Sequence, residues 1–528
     1  MAKKDWLQYF PYETTRDIQE TSIDFIIETL FEKDKKFCVV EAPVGTGKSA
    51  IAITLAKYVY EKISTPEKRA AWIVTTQKVL QEQYKIDFDW LPSIWSKSNY
   101  ECVSRMGISC EFGLWVNSIF KGKYCDCIYT KDKKAFTDGQ ISLTNLPFML
   151  NNVEYNGDEV EKRNLLIVDE CHNLESAITD FVSVRINKFY MKEIGEKWPG
   201  STATIDEVIR QIKVSIIPKL EEIKGDLETK VKNIGSGILK SSEGRQLVKK
   251  LDHVDRYKCQ LDRCVAKFVP NEWVKDIDKD QENITLKPIF ASNYSNQQLF
   301  KIADKVLLMS GTILNKKAFC NHIGIKESEC EFISLPSPFK PENRPIFLLD
   351  SGSMSFKNID KTLPKLVKTI NSIINLEHKK DKGIIHCHSY KVANYLYKNL
   401  KNNRLLLHDS TNRLEVFNTH INSNEPTILL SPSFTEGIDL IGELSKFQII
   451  VKIPFMYLGD YYVRAKMKRV PGWYEWNTVK TIIQSSGRSV RDENDSAITY
   501  ITDSDWRFFY YKNQKLFPKW FRDAIVEI

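Results

Sequence analysis

The sequence predicts an α/β protein built around two parallel sheets. Short apolar runs alternate with helix-like segments in two separate stretches of the chain, one before and one after about residue 345. The runs are continuously apolar rather than alternating, which suits strands that are covered by helices on both faces. Two intervals without this rhythm, 100–135 and 176–290, interrupt the first stretch and indicate insertions.

The candidate strands of the first sheet number five. They lie at 37–42, 70–76, 140–145, 164–170 and 305–311. The second sheet has six candidates, at 346–350, 383–388, 404–408, 427–431, 447–453 and 497–502. Strands separated by helical segments are typical of parallel sheets.

The interval 176–290 shows no strand signal and is predicted to be helical. Its apolar residues step by three or four, so they share one helix face. They are Ile216, Leu220, Ile223, Leu227, Val231 and Ile234, followed by a shorter stripe of Leu247, Leu251, Val254 and Tyr257. A helical insertion that packs on its own stripe and a partner-binding coiled coil both fit this spacing, and the small number of heptads favours the insertion.

The composition is that of a folded, soluble protein. Of 528 residues, 42% are hydrophobic and 27% are charged, which excludes global disorder. The 76 basic and 68 acidic side chains give a net charge of +8, too mild for a histone-like protein. We find no apolar signal core at the N-terminus and no apolar run of about 18 residues, so we expect an intracellular protein without a membrane span. Eleven cysteines, an odd number, argue against a disulfide framework.

A glycine-rich segment after the first strand carries the strongest chemical signal. It reads Glu41-Ala42-Pro43-Val44-Gly45-Thr46-Gly47-Lys48-Ser49, and a helical run follows. Glycines allow backbone amides to face a phosphate, a lysine reaches the β- and γ-phosphates, and a hydroxyl binds Mg²⁺. The strict P-loop pattern has glycine where this chain has Ala42. The alternative, an ordinary βα turn, gives no reason for Lys48-Ser49 at the start of a helix.

The candidate nucleotide contacts in this loop are Ala42, Gly45, Thr46, Gly47, Lys48 and Ser49. An acidic pair, Asp169-Glu170, ends a second predicted strand. We expect Asp169 to hold Mg²⁺, directly or through water, and Glu170 to orient or deprotonate the attacking water. Alone, such a pair equally well caps the following helix, but beside a phosphate loop it favours hydrolysis.

Four cysteines form a cluster in the sequence. Cys102, Cys110, Cys125 and Cys127 lie within 26 residues, where an even distribution of the eleven would place about 0.5. Four thiolates hold either Zn²⁺ or an iron-sulfur cluster. The spacing lacks the C-x2-C pairs that are usual for zinc, and buried thiols without a metal are the third interpretation.

The acidic pair continues as Asp169-Glu170-Cys171-His172, which resembles the DEAH-type box of superfamily 2 helicases. Other segments resemble motifs of that family, in the family's order. They are Ser310-Gly311-Thr312 (motif III), Thr435-Glu436-Gly437-Ile438-Asp439 (motif V) and Gln484-Ser485-Ser486-Gly487-Arg488-Ser489-Val490-Arg491 (motif VI), with Phe10-Pro11-Tyr12, Arg16 and Gln19 similar to the Q-motif region. The resemblance implies nucleotide contacts from Arg16, Gln19, His172, Gly437 and Asp439.

The resemblance also implies catalytic roles for Gln484, Arg488 and Arg491. The two arginines have a physical rationale, because charge that builds on the γ-phosphoryl group is stabilised by arginines of a facing domain. Such arginines contribute ~10³–10⁵ in rate where they have been studied. A surface arginine pair is the alternative.

The cysteine cluster lies between the second strand and the Asp-Glu strand, where XPD/DinG helicases have their iron-sulfur insertion. Its flanks, Asn99-Tyr100-Glu101 and Ile128-Tyr129, also resemble that family. The resemblance implies a 4Fe-4S cluster on Cys102, Cys110, Cys125 and Cys127. The spacing C-x7-C-x14-C-x-C is shorter than in the better-known members.

A stretch from 455 to 476 interleaves aromatic and basic side chains. It contains Phe455, Tyr457, Tyr461, Tyr462, Trp473, Tyr474 and Trp476 together with Arg464, Lys466, Lys468 and Arg469. Single-stranded nucleic acids bind to basic grooves with aromatic platforms. Core aromatics with a solvated basic rim fit the stretch equally well.

The resemblance covers the chain from Phe10 to about Trp506 and implies two RecA-like motor domains with an inserted iron-sulfur segment and a helical arch. The implied boundaries are 1–99, 136–175 and 291–345 for the first RecA-like domain and its linker, 100–135 for the iron-sulfur segment, 176–290 for the arch and 346–528 for the second RecA-like domain. About forty residues precede the phosphate loop, so we expect no N-terminal exonuclease domain.

By resemblance, the chain is expected to be an ATP-dependent DNA helicase that uses Mg²⁺, translocates 5′ to 3′ on single-stranded DNA and unwinds duplex. We expect a monomer in the cytoplasm or on the nucleoid that engages single-stranded DNA and DNA junctions; the sequence identifies no protein partner. A translocase that remodels DNA without strand separation and a non-motor P-loop switch are the alternatives.

Overall fold

The structure is a computed structural model. It describes residues 4–65, 68–103, 109–111, 127–155, 160–235, 238, 241–278, 280, 282–409, 411–432, 440, 442–487, 489–490 and 495–526. Five predicted site residues, Cys125, Gly437, Asp439, Arg488 and Arg491, lie outside these ranges. Within them, none of the helices combines the length and apolarity that crossing a membrane requires.

The first sheet has six parallel strands. From edge to edge they are Ile141–Asn145, Ala71–Thr75, Arg163–Asp169, Ala303–Ser310, Phe37–Glu41 and Cys330–Ser334. The five predicted strands are all present, within two residues at each end. Cys330–Ser334 was not predicted because it is a half-exposed edge strand of mixed polarity. Since the strands are parallel, their carboxyl ends share one edge of the sheet, where the phosphate loop and the acidic pair lie.

Helices cover both faces of the first sheet and bury its two apolar cores. They are Asp17–Ile27, Lys48–Lys62, Lys78–Asp87, Ile128–Asp138, Leu146–Tyr155, Leu174–Val182, Ser295–Gln298 and Lys316–Ile323. A π-helical turn, Glu28–Glu32, extends the first of them.

The second sheet has seven parallel strands. From edge to edge they are Leu405–Leu407, Ile428–Ser431, Gly383–His386, Phe447–Ile450, Ile498–Ile501, Ile346–Leu348 and Ile525–Val526. The helices around it are Ile359–Ser372, Tyr390–Leu400, Arg413–Asn422, Tyr461–Arg469, Trp473–Ser486, Asp505–Asn513 and Lys519–Arg522, and a π-helical turn, Ile373–Glu377, extends the first. The six predicted strands are confirmed, and the two-residue edge strand was too short to give a signal. Two parallel sheets confirm the predicted α/β class.

The prediction that 176–290 contains no strand is wrong. This interval forms a three-stranded antiparallel sheet in the order Val184–Asn187, Asn283–Pro288 and Trp273–Asp278. Val184–Asn187 and Asn283–Pro288 alternate apolar and polar residues, a period-2 pattern that differs from the continuous apolar runs of the parallel sheets, and Trp273–Asp278 has only two adjacent apolar residues before polar ones predominate. The insertion therefore combines a sheet with helices.

The helices of the insertion are Lys188–Glu193, Ile205–Gln211, Ile217–Ile234 and Ser242–Lys267, with a π-helical turn at Ile212–Ile216. The predicted stripe is buried at Leu220, Leu227 and Val231, although Ile234 at its end is 48% exposed. The stripe shares one apolar core with Val248, Leu251 and Val254 of the longest helix. The insertion thus packs on its own stripe, as the first of the two interpretations expected.

Candidate nucleotide site between the two sheets

The phosphate loop connects the strand Phe37–Glu41 to the helix Lys48–Lys62. Gly45 and Gly47 have φ angles of +82° and +79°, a region that glycine enters without strain. The Ala42 N–H donates to the Ser310 carbonyl (2.8 Å), and the buried Thr46 hydroxyl donates to the Pro43 carbonyl (2.8 Å). These contacts hold the loop at the carboxyl edge of the sheet, with its amides at the helix N-terminus.

Two predicted residues from the N-terminal region contact this loop directly. The Arg16 guanidinium donates to the Gly45 carbonyl (2.6 Å). Gln19 accepts from the Arg16 N–H through Oε1 (3.0 Å), and its amide nitrogen lies so close to Gly47 that a Cβ there would overlap it. The structure therefore brings the region that resembles the Q-motif against the phosphate loop, and the nucleotide contacts expected from Arg16 and Gln19 stay a prediction.

The predicted metal-binding residues converge on a buried tyrosine. The Tyr84 hydroxyl donates to Asp169 Oδ2 (3.0 Å) and is itself hydrogen-bonded to the Ser49 side chain. Burial, followed by the charge of Glu170, raises the pKa of Asp169 above its ordinary value, and the nearby Lys48 opposes this shift. A divalent cation would stabilise the ionised form, and the two hard oxygens of Ser49 and Asp169 are the ligand type that Mg²⁺ prefers. The donor set fits the ion.

Glu170 is the carboxylate of the site that faces the cavity. Its backbone is left-handed (φ 52°), and its side chain, 26% exposed, pairs with Lys48 Nζ (3.2 Å) and faces His172 Nδ1 (3.2 Å). Burial disfavours the ionised form, but Lys48 and His172 outweigh burial and hold the pKa of Glu170 well below its ordinary value. Glu170 is therefore an ionised hydrogen-bond acceptor at neutral pH.

His172 connects the two sheets. Its Nδ1 lies 2.7 Å from Ser310 Oγ, and that hydroxyl also reaches Glu170 Oε2 (3.3 Å). On the other side, Gln484 Nε2 lies 2.6 Å from His172 Nε2 and donates to Thr312 Oγ1 (3.2 Å). A neutral imidazole with its proton on Nδ1 satisfies both neighbours. A continuous polar chain thus runs from Glu170 to the helix Trp473–Ser486 of the second sheet.

A cavity of about 390 Å³ opens between the two sheets beside this chain. Its lining includes Val44, Glu170, His172, Thr312, Gln484 and Gly487. Phe339 lies in the connection between the two sheets, and its ring packs against Gly45 of the phosphate loop. The contact is so close that a Cβ on Gly45 would overlap the ring. The volume and the lining suit a ligand held between the phosphate loop and the helix that leads to Arg488.

Two residues that the sequence analysis did not select support the site. Tyr84 links Ser49 to Asp169, as described. Glu41, 2% exposed, accepts from the backbone N–H groups of Ile313 (2.8 Å) and Leu314 (2.6 Å) and from the Ser334 hydroxyl (2.6 Å). A charged residue directly after four buried apolar residues was a signal for Glu41, whereas nothing in the local sequence distinguishes Tyr84.

Three of the four clustered cysteines are described, and all three are buried. Cys102, Cys110 and Cys127 are at most 5% exposed, and the Sγ atoms of Cys110 and Cys127 lie 3.6 Å apart. Among the described residues, no group of three or more potential ligands is close enough to hold a metal ion. The fourth predicted ligand, Cys125, lies outside the described ranges, so the structure shows a convergent thiol pair with a third buried thiol in the same segment.

Comparison with known proteins finds similarity to helicases over most of the chain. Residues 13–207 match the model of the type III restriction enzyme res subunit, and residues 373–524 match the helicase C-terminal domain. A probable ATP-dependent helicase of Methanocaldococcus jannaschii is 23% identical over 94% of this chain and 93% of its own length. An XPD helicase structure matches 98% of this chain and 100% of its own, with a TM-score of 0.64 at 14% identity. Together, the two domain matches, the relative and the structural neighbour support an XPD/DinG-like helicase of superfamily 2.

The ATP-dependent DNA helicase DinG of Photobacterium profundum is 29% identical over 43% of this chain, and that match spans 36% of DinG. As an XPD/DinG-like protein, the chain is an ATP-dependent helicase with two RecA-like domains, one around each parallel sheet. The phosphate loop and the Asp169-Glu170 pair belong to the first sheet, and Gln484 belongs to the second.

In this helicase, the aromatic and basic stretch 455–476 divides into an exposed and a buried part. Tyr457 and Tyr461 are 79% and 52% exposed, and the Arg464 guanidinium lies 5.7 Å from the Tyr461 ring centre. Trp473, Trp476 and Lys466 are buried in the contact with the first domain. The buried part fits the interpretation of core aromatics, and nucleic-acid binding by the exposed part stays a prediction.

Proposed function

We propose that this protein is an ATP-driven motor that translocates 5′ to 3′ along single-stranded DNA and separates duplex at junctions. The observation that carries the proposal is the polar chain from Lys48 and Glu170 through His172 to Gln484, which links a hydrolytic carboxylate in one RecA-like domain to a helix of the other. A hydrolysis site divided between two domains moves them relative to each other during each cycle.

On the first domain, the phosphate loop from Ala42 to Ser49 binds the β- and γ-phosphates. Lys48 neutralises phosphate charge, and Ser49 and Asp169 would hold Mg²⁺, which would draw charge from the transferring phosphoryl group. Glu170 accepts a proton from the attacking water or orients it, because it is ionised and open to the cavity. Arg16 and Gln19 position the loop from the adenine side.

On the second domain, Gln484 is linked to Glu170 through His172, so a change in the contacts of Glu170 during hydrolysis alters the contacts of Gln484. Arg488 follows Gln484 by four residues and Arg491 by seven, and we assign both to the stabilisation of charge on the γ-phosphoryl group. Gly437 and Asp439 complete the nucleotide contacts in this proposal on the resemblance of their segment to motif V.

The proposed DNA track includes the exposed part of the stretch 455–476. Tyr457 and Tyr461 offer stacking surfaces beside Arg464, and stacking contributes ~1–3 kcal/mol per base. The assignment of DNA as the track also draws on DinG, a relative named as an ATP-dependent DNA helicase. The direction of movement follows the family resemblance.

The proposal is tested by ATP hydrolysis and strand displacement with purified full-length protein. We expect single-stranded DNA to stimulate ATP turnover, and duplex with a 5′ overhang to be unwound in preference to duplex with a 3′ overhang. Turnover that no nucleic acid stimulates would support a nucleotide switch and refute the motor. Stimulated turnover without displacement of any overhang substrate would support a remodelling translocase instead.

We further propose that Cys102, Cys110, Cys125 and Cys127 hold a 4Fe-4S cluster. The three described cysteines are buried soft donors, and two of them already converge. The 3.6 Å separation also suits two thiolates on one tetrahedral Zn²⁺ with bonds of about 2.3 Å, so metal content is the test. We expect about four iron and four sulfide ions per chain and broad visible absorption after anaerobic purification; stoichiometric zinc in a colourless, active protein would refute the cluster.

A further inference from the structure

A second polar cluster lies at the contact between the two RecA-like domains, away from the nucleotide cavity. Its centre is Glu175, in the first turn of the helix Leu174–Val182, three residues after His172. Glu175 Oε1 pairs with Lys466 Nζ, and Glu175 Oε2 accepts from the Trp473 indole N–H (3.1 Å). The side chains of Glu175 and Lys466 are only 10% and 2% exposed.

The partners of Glu175 come from the second domain. Lys466 lies in the helix Tyr461–Arg469 and donates to the Tyr462 hydroxyl (3.0 Å), and its ammonium lies 4.9 Å from the centre of the Trp473 ring. Burial lowers the pKa of Lys466, and Glu175 opposes that shift. Burial disfavours the ionised form of Glu175, but Lys466 and His322 outweigh it and hold the pKa of Glu175 below its ordinary value. The pair is therefore a buried, charged contact between domains.

The helix Trp473–Ser486 connects this cluster to the nucleotide site. Trp473 and Gln484 are eleven residues apart, which is about three turns, so they share one face of the helix about 16 Å apart. Between them, the Trp476 indole donates to the Ile313 carbonyl (2.9 Å), and Lys480 Nζ donates to the His172 carbonyl (3.4 Å). Each of these contacts is made to a residue close to the DEAH-type box or to motif III.

We propose that Glu175 is a positioning residue for ATP hydrolysis. By binding Lys466 and Trp473, it fixes the end of the helix Trp473–Ser486 that is remote from the nucleotide, and thereby sets the position of Gln484 against His172. Glu175 does not line the nucleotide cavity, so it acts through the helix. This inference rests on the proposed motor function and adds the contact that couples the second domain to the DEAH-type box.

The coupling extends to the insertion. Tyr462, on the same helix as Lys466, packs with Val274 and Ile289 of the insertion, and the Lys287 ammonium lies 4.5 Å from the Tyr462 ring centre. Lys287 also pairs with Asp180 (2.6 Å) on the helix that carries Glu175. The helix Tyr461–Arg469 therefore contacts both the first motor domain and the inserted sheet.

The test uses a double variant, Glu175→Leu with Lys466→Met, in the full-length protein. Because both charged side chains are replaced by apolar ones of similar size, neither leaves a buried charge without its partner. We therefore expect a thermal midpoint close to that of the wild type. The variant no longer has an acceptor for the Trp473 indole. We expect kcat for DNA-stimulated ATP hydrolysis to fall at least tenfold while KM for ATP changes less than threefold. Trp473→Phe, which removes the indole donor and keeps a single aromatic ring, should shift kcat in the same direction by a smaller factor.

The matched control is Glu154→Gln, which breaks a partly buried ion pair with Lys267 (3.3 Å) that does not join the two motor domains. We expect it to leave kcat unchanged. If the double variant and Trp473→Phe hydrolyse ATP at the wild-type rate, the positioning role of Glu175 is refuted while the motor function stands. If the wild type itself shows no DNA-stimulated hydrolysis, the proposed function fails first, so the two failures are distinguishable.

Discussion

Glu170 and Glu175 lie five residues apart in the chain, and each forms a cluster with a lysine. The two clusters differ in their access to solvent. Glu170 pairs with Lys48 (3.2 Å) on the wall of the cavity, where its side chain is 26% exposed. Glu175 pairs with Lys466 behind it, where the side chains are 10% and 2% exposed. Water and a nucleotide can reach the first cluster but not the second. The same chemical pair therefore makes a domain contact at Glu175, whereas at Glu170 it is open to the ligand that the proposed hydrolysis requires.

The two clusters also differ in how their histidines are satisfied. Both ring nitrogens of His172 have polar neighbours, Ser310 and Gln484. His322, beside Glu175, packs edge-on against Trp476 with ring centres 5.2 Å apart, and within the described part of the chain its Nδ1 has no hydrogen-bond partner. Of the two histidines, only His172 has polar neighbours at both ring nitrogens within the described part of the chain. We call the cluster around Glu170 the open cluster and the cluster around Glu175 the closed cluster, and we expect substitutions in them to differ in the size of their effects.

The largest effect is expected at the open cluster. Lys48→Ala and Glu170→Gln should each lower kcat for ATP by about 10²–10⁴-fold, since one removes phosphate charge neutralisation and the other removes the base. Steady-state ATPase assays with single-stranded DNA measure this loss, and circular dichroism and the thermal midpoint check that the fold is intact. Turnover at the wild-type rate in either variant would refute the assignment of the hydrolytic site.

A smaller effect, on stability rather than chemistry, is expected at the closed cluster. Lys466→Met alone leaves Glu175 ionised, buried and without its cation, which costs about 3 kcal/mol. Urea unfolding should show this loss, and the added Glu175→Leu change should recover most of it. A Lys466→Met protein as stable as the wild type would mean that solvent reaches the pair and that the two clusters do not differ in access.

The sequence predicted the open cluster well because its residues follow local rules. A phosphate loop requires glycines, a lysine and a hydroxyl in one short segment, and Asp169-Glu170 follows a strand of the same sheet, so proximity followed from parallel topology alone. The eleven predicted strands were recognisable for a similar reason, since strands buried on both faces are continuously apolar. The inserted strand Asn283–Pro288 lacks such a continuous apolar run, because its apolar and polar residues alternate.

The closed cluster was beyond the reach of local patterns. Glu175 and Lys466 are almost 300 residues apart in the sequence, and Lys466 appeared as one basic residue among several in an aromatic stretch. Tyr84 was missed for the same reason, since its link to Asp169 exists only after the helix Lys78–Asp87 packs beside the strand Arg163–Asp169. Contacts between domains depend on docking, which sequence periodicity does not encode.

A third prediction tests the connection between the clusters. Gln484→Ala removes the hydrogen bonds to His172 and Thr312 but leaves Lys48 and Glu170 in place. A hydrogen bond contributes about 1 kcal/mol, or about fivefold in rate, so we expect the loss of the two bonds to lower kcat by about 5–30-fold. The KM for ATP should change little, because the phosphate loop is unaltered. An increase in KM with kcat unchanged would place Gln484 in nucleotide binding rather than in communication between domains.

The smallest effect concerns the pH dependence of stability at His322. Burial lowers the pKa of His322 below its ordinary value of 6.5; Glu175 opposes this shift, whereas Lys466 and Lys480 add to it. His322 therefore binds a proton more readily in the unfolded chain than in the folded protein. The stability that neutral His322 contributes is present above pH 6.5 and is lost as the pH falls through its folded-state pKa.

His322→Phe keeps the ring contact with Trp476 and removes the titration. As the pH is lowered from 7.5 to 5, the free energy of unfolding of the variant should therefore increase relative to that of the wild type. Parallel curves over that range would mean that His322 is readily protonated in the folded protein, and the closed cluster would then be as open to protons as the cluster around Glu170.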